Sequence, residues 1–152
     1  MITFTIDGPA VPKQRPRIHG RMAYTPKKTR DYEERVRKSF CSSYYGLTAE
    51  YAQHLEAVYS EGVPVRAHIE IIQQIPKSWS NSKTIKAERG EIVPTTRNGD
   101  LDNICKSILD ALNGYAYADD AQVTTLIASK KYGVCPFVTV SLEEDRRTDK
   151  RL

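Results

Sequence analysis

Acidic side chains crowd one short stretch of this chain, residues 98–122, which reads NGDLDNICKSILDALNGYAYADDAQ. Four of its five aspartates form two close pairs: Asp100 with Asp102, and Asp119 with Asp120. Neighbouring carboxylates repel one another unless a cation lies between them, and burying them unpaired is costly. Proteins usually hold magnesium with one or two carboxylates plus a substrate phosphate. The stretch therefore predicts a site for Mg²⁺, with Mn²⁺ as the alternative ion.

The same stretch predicts a helix that begins at the first acidic pair. Apolar side chains recur there at helical spacing, and the Asn-Gly pair at 113–114 is a typical helix end. An extended backbone would point Asp100 and Asp102 to one side, whereas a helix would separate them by about 200°. We therefore expect the pair at a strand-to-helix junction. Asp102 would be the N-cap, and Lys106 would lie one turn along the helix.

Ordinary structural roles explain each of these features taken alone. Acids at a helix start cap free N–H groups and stabilise the helix dipole. Two adjacent aspartates before a strand are also a common turn composition. Neither role accounts for two acidic pairs with a lysine in register between them, so the sequence favours the metal site.

Composition limits the class of protein. The chain has 152 residues, enough for one domain with its own core, and its 39% apolar and 28% charged residues are typical of a globular protein. No apolar run approaches membrane-spanning length, and the N-terminus does not resemble a signal peptide. The three cysteines match no zinc or disulfide spacing, and Cys105 falls on the apolar face of the predicted helix. We expect one cytoplasmic domain, residues 1–152, with a charged tail from about residue 143.

Positive charge is concentrated near the N-terminus. Ten Lys or Arg residues stand against three acids between residues 11 and 38, and the net charge is +4. Prolines stiffen this predicted loop, which either contacts a phosphate backbone or is a solvated linker. Tyr24 within it either stacks on a nucleobase or packs internally. The cations predicted to contact DNA are Lys13, Arg15, Arg17, Arg21, Lys27, Lys28, Arg30 and Lys77.

The remaining periodicity predicts the fold class. Apolar alternation predicts strands near residues 2–6, 65–71, 123–132 and 138–142. Helical spacing predicts helices from Asp31, from Leu47 to Tyr59, and from a serine cap at 78 or 80 to Gly90. Asp31 with Glu34 resembles a capping pair. Trp79 is either a core anchor or a platform against DNA, and the core is favoured. This order of elements predicts an α+β domain with a small mixed β-sheet packed with helices.

These motifs resemble the signature of the RusA family of endodeoxyribonucleases, which has the form D-x-D-N-x-x-K-x-x-x-D-x-L followed by D-D-x-Q-[VI]. Every position of that signature is filled between Asp100 and Val123. The upstream segments VPKQRPR, YTPKKTRDYE and PKSWS are similar to those of the phage and prophage branch of the family. The resemblance extends over most of residues 1–142, whereas residues 41–62 and the last ten residues have no counterpart in the family segments.

The resemblance implies a RusA-like fold and a magnesium-dependent homodimer. Such a dimer resolves Holliday junctions, which are four-way DNA, by paired symmetric nicks during recombination and repair. It also implies four catalytic residues, of which the three acids bind metal: Asp100, Asp102, Asp120 and Lys106. Asp119 would be a lesser metal-binding neighbour. The role of Asp110 stays open, because it lies roughly 80° from Asp102 around the helix and a local bond is an alternative.

The residues themselves suit phosphodiester hydrolysis. One or two magnesium ions held by the acids can lower the pKa of a bound water and neutralise the phosphate, and Lys106 can offset charge on the scissile phosphate or orient the water. One rival is a non-catalytic protein that binds branched DNA, although bare carboxylates beside DNA repel its phosphates. Another is a glycosyltransferase that uses D-x-D for a sugar nucleotide, although the chain lacks a nucleotide-binding βαβ run.

Overall fold

A computed structural model describes residues 1–95 and 99–146 of the chain. The strands in these ranges are β1 (Ile2–Asp7), β2 (Arg17–His19), β3 (Met22–Tyr24), β4 (Val65–Gln74), β5 (Val123–Gly133) and β6 (Phe137–Glu144). The helices are α1 (Lys27–Tyr45), α2 (Ala49–Ala52), α3 (Asn81–Glu88) and α4 (Leu101–Ala111), and a 3₁₀ turn spans Asp120–Gln122. None of the helices within these ranges is both long and apolar enough to cross a membrane.

Four of the strands form one mixed sheet in the order β1-β6-β4-β5. β6 pairs antiparallel with both β1 and β4, whereas β5 runs parallel to β4. Parallel neighbours need a long crossover connection, and here that connection contains α3 and α4. The predicted α+β class with a small mixed sheet is confirmed.

The core lies between this sheet and helices α1 and α4. Alternation along β4 buries every second side chain from Val65 to Ile71, and α1 packs against β1 and α4. The largest buried side chains of the two helices are Tyr32, Val36, Phe40, Ile104, Ile108 and Leu112. Burying each such side chain contributes about 1.5–3 kcal/mol. The apolar stripe of α4 therefore fixes the rotation of that helix, and Asp102 and Lys106 are exposed.

The first helix begins earlier than predicted. α1 starts at Lys27 with Pro26 as its N-cap residue, and Asp31 lies inside the helix, where it pairs with Lys27 at 2.8 Å. Proline has a fixed φ and no N–H to satisfy, so it suits a helix start. The predicted capping pair of Asp31 with Glu34 is therefore wrong.

The predicted helix from Leu47 to Tyr59 is also wrong, because only the single turn of α2 forms. Leu47, Tyr51 and Leu55 are exposed, so most of the apolar stripe that predicted the helix is not buried. The Tyr59 N–H instead donates to the Ala116 carbonyl at 2.8 Å, and its hydroxyl donates to the Leu142 carbonyl at 3.0 Å. These bonds hold the segment extended beside the chain that follows α4.

Two further predictions differ from the structure. Trp79 is half-buried rather than a core residue, and its ring packs edge-on against Tyr132, with the Lys83 ammonium 3.9 Å from its centre. The charged tail predicted from residue 143 is part of β6 as far as Glu144. Asp145 after it is buried and accepts hydrogen bonds from threonine hydroxyls of β5 at 2.6 and 2.8 Å. Residues 147–152 lie outside the described ranges.

Candidate active site

The first acidic pair lies at the N-terminal end of α4. Asp100 is the N-cap residue, with an extended backbone and no capping bond from its side chain, whereas Asp102 lies in the first helical turn. The predicted N-cap at Asp102 is therefore two residues too late. Loop rather than strand precedes the pair at residues 91–95 and 99, so the predicted strand-to-helix junction is wrong as well. Both carboxylates are exposed to solvent.

Lys106 and Cys105 are neighbours in α4, but Lys106 faces solvent and Cys105 faces the core. Lys106 is exposed one turn after Asp102, as predicted. Cys105 is buried, and burial together with the nearby Asp102 charge raises the pKa of its thiol to about 11. The thiol is therefore protonated at neutral pH, which agrees with its predicted packing role and excludes it as a nucleophile.

The second acidic pair lies beyond the C-terminal end of α4 and meets Asp110, the last acid of that helix. Asp120 is hydrogen-bonded to both Asp110 and Asp119. Burial, followed by these bonds and the neighbouring negative charges, raises the pKa of Asp120 to about 6. Carboxylates this close repel one another, so a nearby cation stabilises their ionised forms. Asp110, whose role the sequence left open, thus belongs to the second acidic group.

Asp119 holds the 3₁₀ turn that presents Asp120. Its carboxylate accepts a hydrogen bond from the Ala121 N–H at 2.7 Å, and the Gln122 amide oxygen accepts one from the Asp119 N–H at 3.2 Å, which completes a capping box. The Gln122 amide nitrogen also donates to the Ser60 carbonyl at 2.8 Å. The turn is therefore held by hydrogen bonds within it and by a hydrogen bond to the segment before β4.

Lys13 is the cation that the structure places beside the second acidic group. Its ammonium lies 3.0 Å from Asp110 Oδ2 and also contacts Glu33 of α1. Burial lowers the pKa of Lys13, but its bonds to the two carboxylates outweigh that effect, so the pKa lies above the ordinary lysine value. The side chain is only 22% exposed. Lys13 was predicted to contact DNA, and its two carboxylate partners compete with any phosphate for it.

Backbone contacts fasten the residues around Lys13 to the N-terminal end of α4. The Lys13 N–H donates to the Asn103 carbonyl at 2.9 Å, and the Gln14 N–H donates to the Thr29 hydroxyl at 3.2 Å.

Gly99 has φ +92°, and a Cβ there would lie 2.6 Å from the Pro12 ring. The long basic segment from Lys13 to Arg30, which we call the basic loop, thus begins in contact with α4, the helix that carries the acids. Sequence reasoning missed these contacts, because no local pattern links residues so far apart along the chain.

The chemistry of the acidic residues fits magnesium. Within residues 1–95 and 99–146, no three Asp, Glu, His or Cys side chains converge closely enough to hold a metal ion by themselves. Magnesium does not need such a group, because one or two carboxylates, waters and a substrate phosphate complete its ligands. The pKa of Asp120, raised by burial and by Asp110 and Asp119, marks a place where added positive charge is stabilising. The predicted metal-binding role of Asp100, Asp102, Asp119 and Asp120 stays a prediction.

Comparison with known proteins identifies the family. The model of the RusA endodeoxyribonucleases matches residues 7–143 of the chain. The chain belongs to the RusA endodeoxyribonuclease family. A protein of Bacillus subtilis (strain 168), described as uncharacterized protein YqaN, is 37% identical over 145 residues, which is 94% of this chain and 96% of that protein. The family assigns this RusA protein a nuclease activity as a Holliday junction resolvase in recombination, so the non-catalytic and glycosyltransferase alternatives are set aside.

The RusA endonuclease carries its remaining predicted DNA contacts on exposed surfaces. Arg15 precedes β2, Arg17 lies in β2, and Arg21 lies in the turn between β2 and β3. Lys27, Lys28 and Arg30 lie in the first turns of α1, and Lys77 lies before α3. All seven residues are exposed. Their predicted contact with DNA stays a prediction.

Proposed function

We propose that this RusA endonuclease cuts four-way DNA with magnesium held by its acidic residues, and that a homodimer makes the two nicks. The observation that carries the proposal is the carboxyl group of Asp120, whose pKa is about 6 among like charges. A divalent cation offsets those charges more strongly than one shared proton does. The exposed pair at the start of α4 adds carboxylates of the same type.

Asp100, Asp102 and Asp120 are the proposed ligands, with Asp119 as a lesser one. The bound ion would lower the pKa of a water and neutralise charge on the scissile phosphate. Lys106 donates hydrogen bonds to the phosphate oxygens, where negative charge grows in the transition state. Asp119 keeps Asp120 in place through the capping box.

The exposed cations of the basic loop bind the flanking phosphates. Neutralising several phosphates gives affinity that falls steeply with salt, whatever the DNA sequence. The junction is thereby held with one phosphodiester at the acids. A four-way junction with two-fold symmetry presents two equivalent strands, so paired symmetric nicks require two copies of the site. This geometry supports a homodimer.

The test uses a mobile four-way junction labelled on each strand in turn, with linear duplex of the same sequence beside it. We expect paired nicks at symmetric positions with Mg²⁺, none in EDTA, and little cutting of duplex. Asp120→Asn should lower the cutting rate by at least about 100-fold, as the loss of a group that stabilises the transition state does. Its junction affinity, measured in EDTA, should stay within about twofold.

Glu88→Gln is the matched control, because Glu88 is an exposed carboxylate at the end of α3. It should cut as the wild type does. Cutting by the wild type in EDTA would refute the requirement for metal. Full cutting by Asp120→Asn would remove Asp120 from the site, and nicks confined to one strand would refute the paired mechanism.

A further inference from the structure

The strands β2 and β3 form a hairpin that stands apart from the main sheet. Among the described residues they pair only with each other, in a two-stranded sheet of their own. All six of their residues are exposed. An isolated two-stranded hairpin gains little stability from its own contacts. Its exposed side chains are therefore available for a partner.

The hairpin exposes apolar side chains among its cations. Ile18 is 78% exposed, Met22 76% and Tyr24 49%. The register places Tyr24 opposite Arg17 and Met22 opposite His19. Cross-strand partners point to the same face, so one face carries an aromatic ring beside a guanidinium and a thioether beside an imidazole.

Charge identifies the partner of this surface as a polyanion. Residues 8–30 contain seven Lys or Arg and no acid. Exposed apolar residues scattered singly over a surface are ordinary. Here, however, three occur within seven residues of a hairpin whose turn carries Arg21. Phosphate binding needs cations alone, whereas the exposed faces of nucleobases also attract aromatic and apolar side chains.

The hairpin also lies close to the acids. The chain is fastened at Lys13 to the first turn of α4 and at Gln14 to Thr29. β2 begins at Arg17, three residues after Gln14, so its start lies within about 10 Å of that anchor. DNA that reaches the exposed pair at the start of α4 therefore passes near the point where the hairpin begins.

We propose that this hairpin recognises the branch point of the DNA junction. Met22 and Tyr24 stack on base faces that the interrupted helix exposes there, while Arg17 and Arg21 bind the phosphates on either side. A continuous duplex hides those base faces and offers only phosphates and groove edges. The hairpin thus adds affinity for branched DNA over linear DNA. This inference rests on the proposed function, because it assumes that the acids act on a junction.

The test compares the variant Met22→Ala with Tyr24→Ala against the wild type, in EDTA so that no DNA is cut. The double variant should bind the four-way junction about tenfold or more weakly and bind duplex of the same sequence within about twofold. A 2-aminopurine base at the branch point should change fluorescence with the wild type and not with the variant. Tyr24→Phe keeps the ring and should keep both signals.

Two further variants serve as controls. Tyr51→Ala with Val134→Ala removes one aromatic and one aliphatic side chain that are similarly exposed elsewhere, and it should change neither affinity. Arg17→Ala with Arg21→Ala should weaken binding to junction and duplex alike and reduce the salt dependence of both. Because all these side chains are exposed, the variants should keep the circular dichroism spectrum of the wild type.

Two results would overturn the inference. One is unchanged affinity of Met22→Ala with Tyr24→Ala for both DNAs, and the other is an equal loss of affinity for both. Either result, with wild-type protein that still cuts junctions in Mg²⁺, rejects the hairpin and leaves the proposed function standing. Wild-type protein that neither cuts nor prefers junctions rejects both.

Discussion

The two ends of helix α4 carry the same residue type in contrasting surroundings. At the N-terminal end, Asp100 and Asp102 are exposed to solvent. Beyond the C-terminal end, Asp120 is hydrogen-bonded to two other carboxyls, and one of these, Asp110, is paired with Lys13. We call the first set the open acids and the second set, Asp110, Asp119 and Asp120, the linked acids.

The contrast bears on the proposed metal site, which must be both open to substrate and held in place. Water solvates the charges of the open acids. In the proposed mechanism these acids can therefore bind an ion that arrives with the substrate. The linked acids are ordered before any ion arrives, but their mutual repulsion must be offset. One helix thus joins a solvated acidic pair to an acidic group that is held in place, and both are proposed to bind metal.

The largest expected effect comes from removing one acid of each set. Asp102→Asn and Asp120→Asn should each lower junction cutting by at least about 100-fold. If both sets hold the same ion, the double variant should be no slower than the single variants, because groups that act as a unit are not additive. Single-turnover cutting of the labelled junction measures all four rates. Losses that multiply in the double variant would mean that the two sets serve separate steps.

A smaller effect should follow from Lys13, which neutralises the linked acids. Lys13→Met should lower cutting about tenfold and the free energy of unfolding by about 1 kcal/mol, with junction affinity in EDTA within about twofold. Lys13→Arg should restore most of both losses. A direct DNA contact would instead show as weaker junction binding with a reduced salt slope and an unchanged cutting rate at saturating protein.

The pH dependence of stability gives Lys13 a second test. Its pKa is raised in the folded state, so its contribution is fully present below the lysine pKa of the unfolded chain. That contribution is lost only as the pH rises through the higher folded-state pKa. The stability difference between wild type and Lys13→Met should therefore hold from neutral to mildly alkaline pH and shrink in strongly alkaline solution. Denaturant unfolding across that range measures it, and a difference that grew with pH would contradict the pairing.

The smallest effect should come from Asp119, which belongs to the linked acids but also caps its own turn. Asn caps a turn about as well as Asp, so Asp119→Asn should lower cutting about threefold or less. Asp119→Ala removes the bond to the Ala121 N–H and should cost about 1 kcal/mol of unfolding free energy. Thermal unfolding and junction cutting measure the two effects. If Asp119→Asn were as inactive as Asp120→Asn, its carboxylate would be a full metal ligand.

Elements whose side chains are buried on one face were predictable from the sequence. The alternation of β1, β4 and β6 and the stripe of α4 each reflect a buried surface, and the serine cap of α3 at Ser80 forms as expected. The hairpin of β2 and β3 was expected to be loop, because its side chains are all exposed and leave no periodic signal. The helix predicted from Leu47 to Tyr59 does not form for the converse reason. Its apolar residues have helical spacing, but Leu47, Tyr51 and Leu55 are exposed.

The sequence predicted which residues form the candidate site, but not which of them contact one another. The spacing of the open acids, Lys106 and the second pair identified the family before the fold was known, and the family match confirmed it. The link from Asp120 through Asp110 to Lys13 joins a turn, a helix and a loop that are distant along the chain. Such a link depends on tertiary packing. Sequence therefore placed Lys13 among the DNA contacts, whereas the structure gives it carboxylate partners.

The close approach of Gly99 and Pro12 constrains how this enzyme can evolve. Any side chain at position 99 would both displace the proline ring and require a left-handed backbone conformation that only glycine adopts readily. A change at 99 must therefore follow the loss of Pro12, and that loss alone would already loosen the segment that leads to the hairpin. Descendants that keep Pro12 are therefore expected to keep Gly99. The acidic helix and the basic loop should thus be inherited as a single unit, even where the rest of the surface diverges.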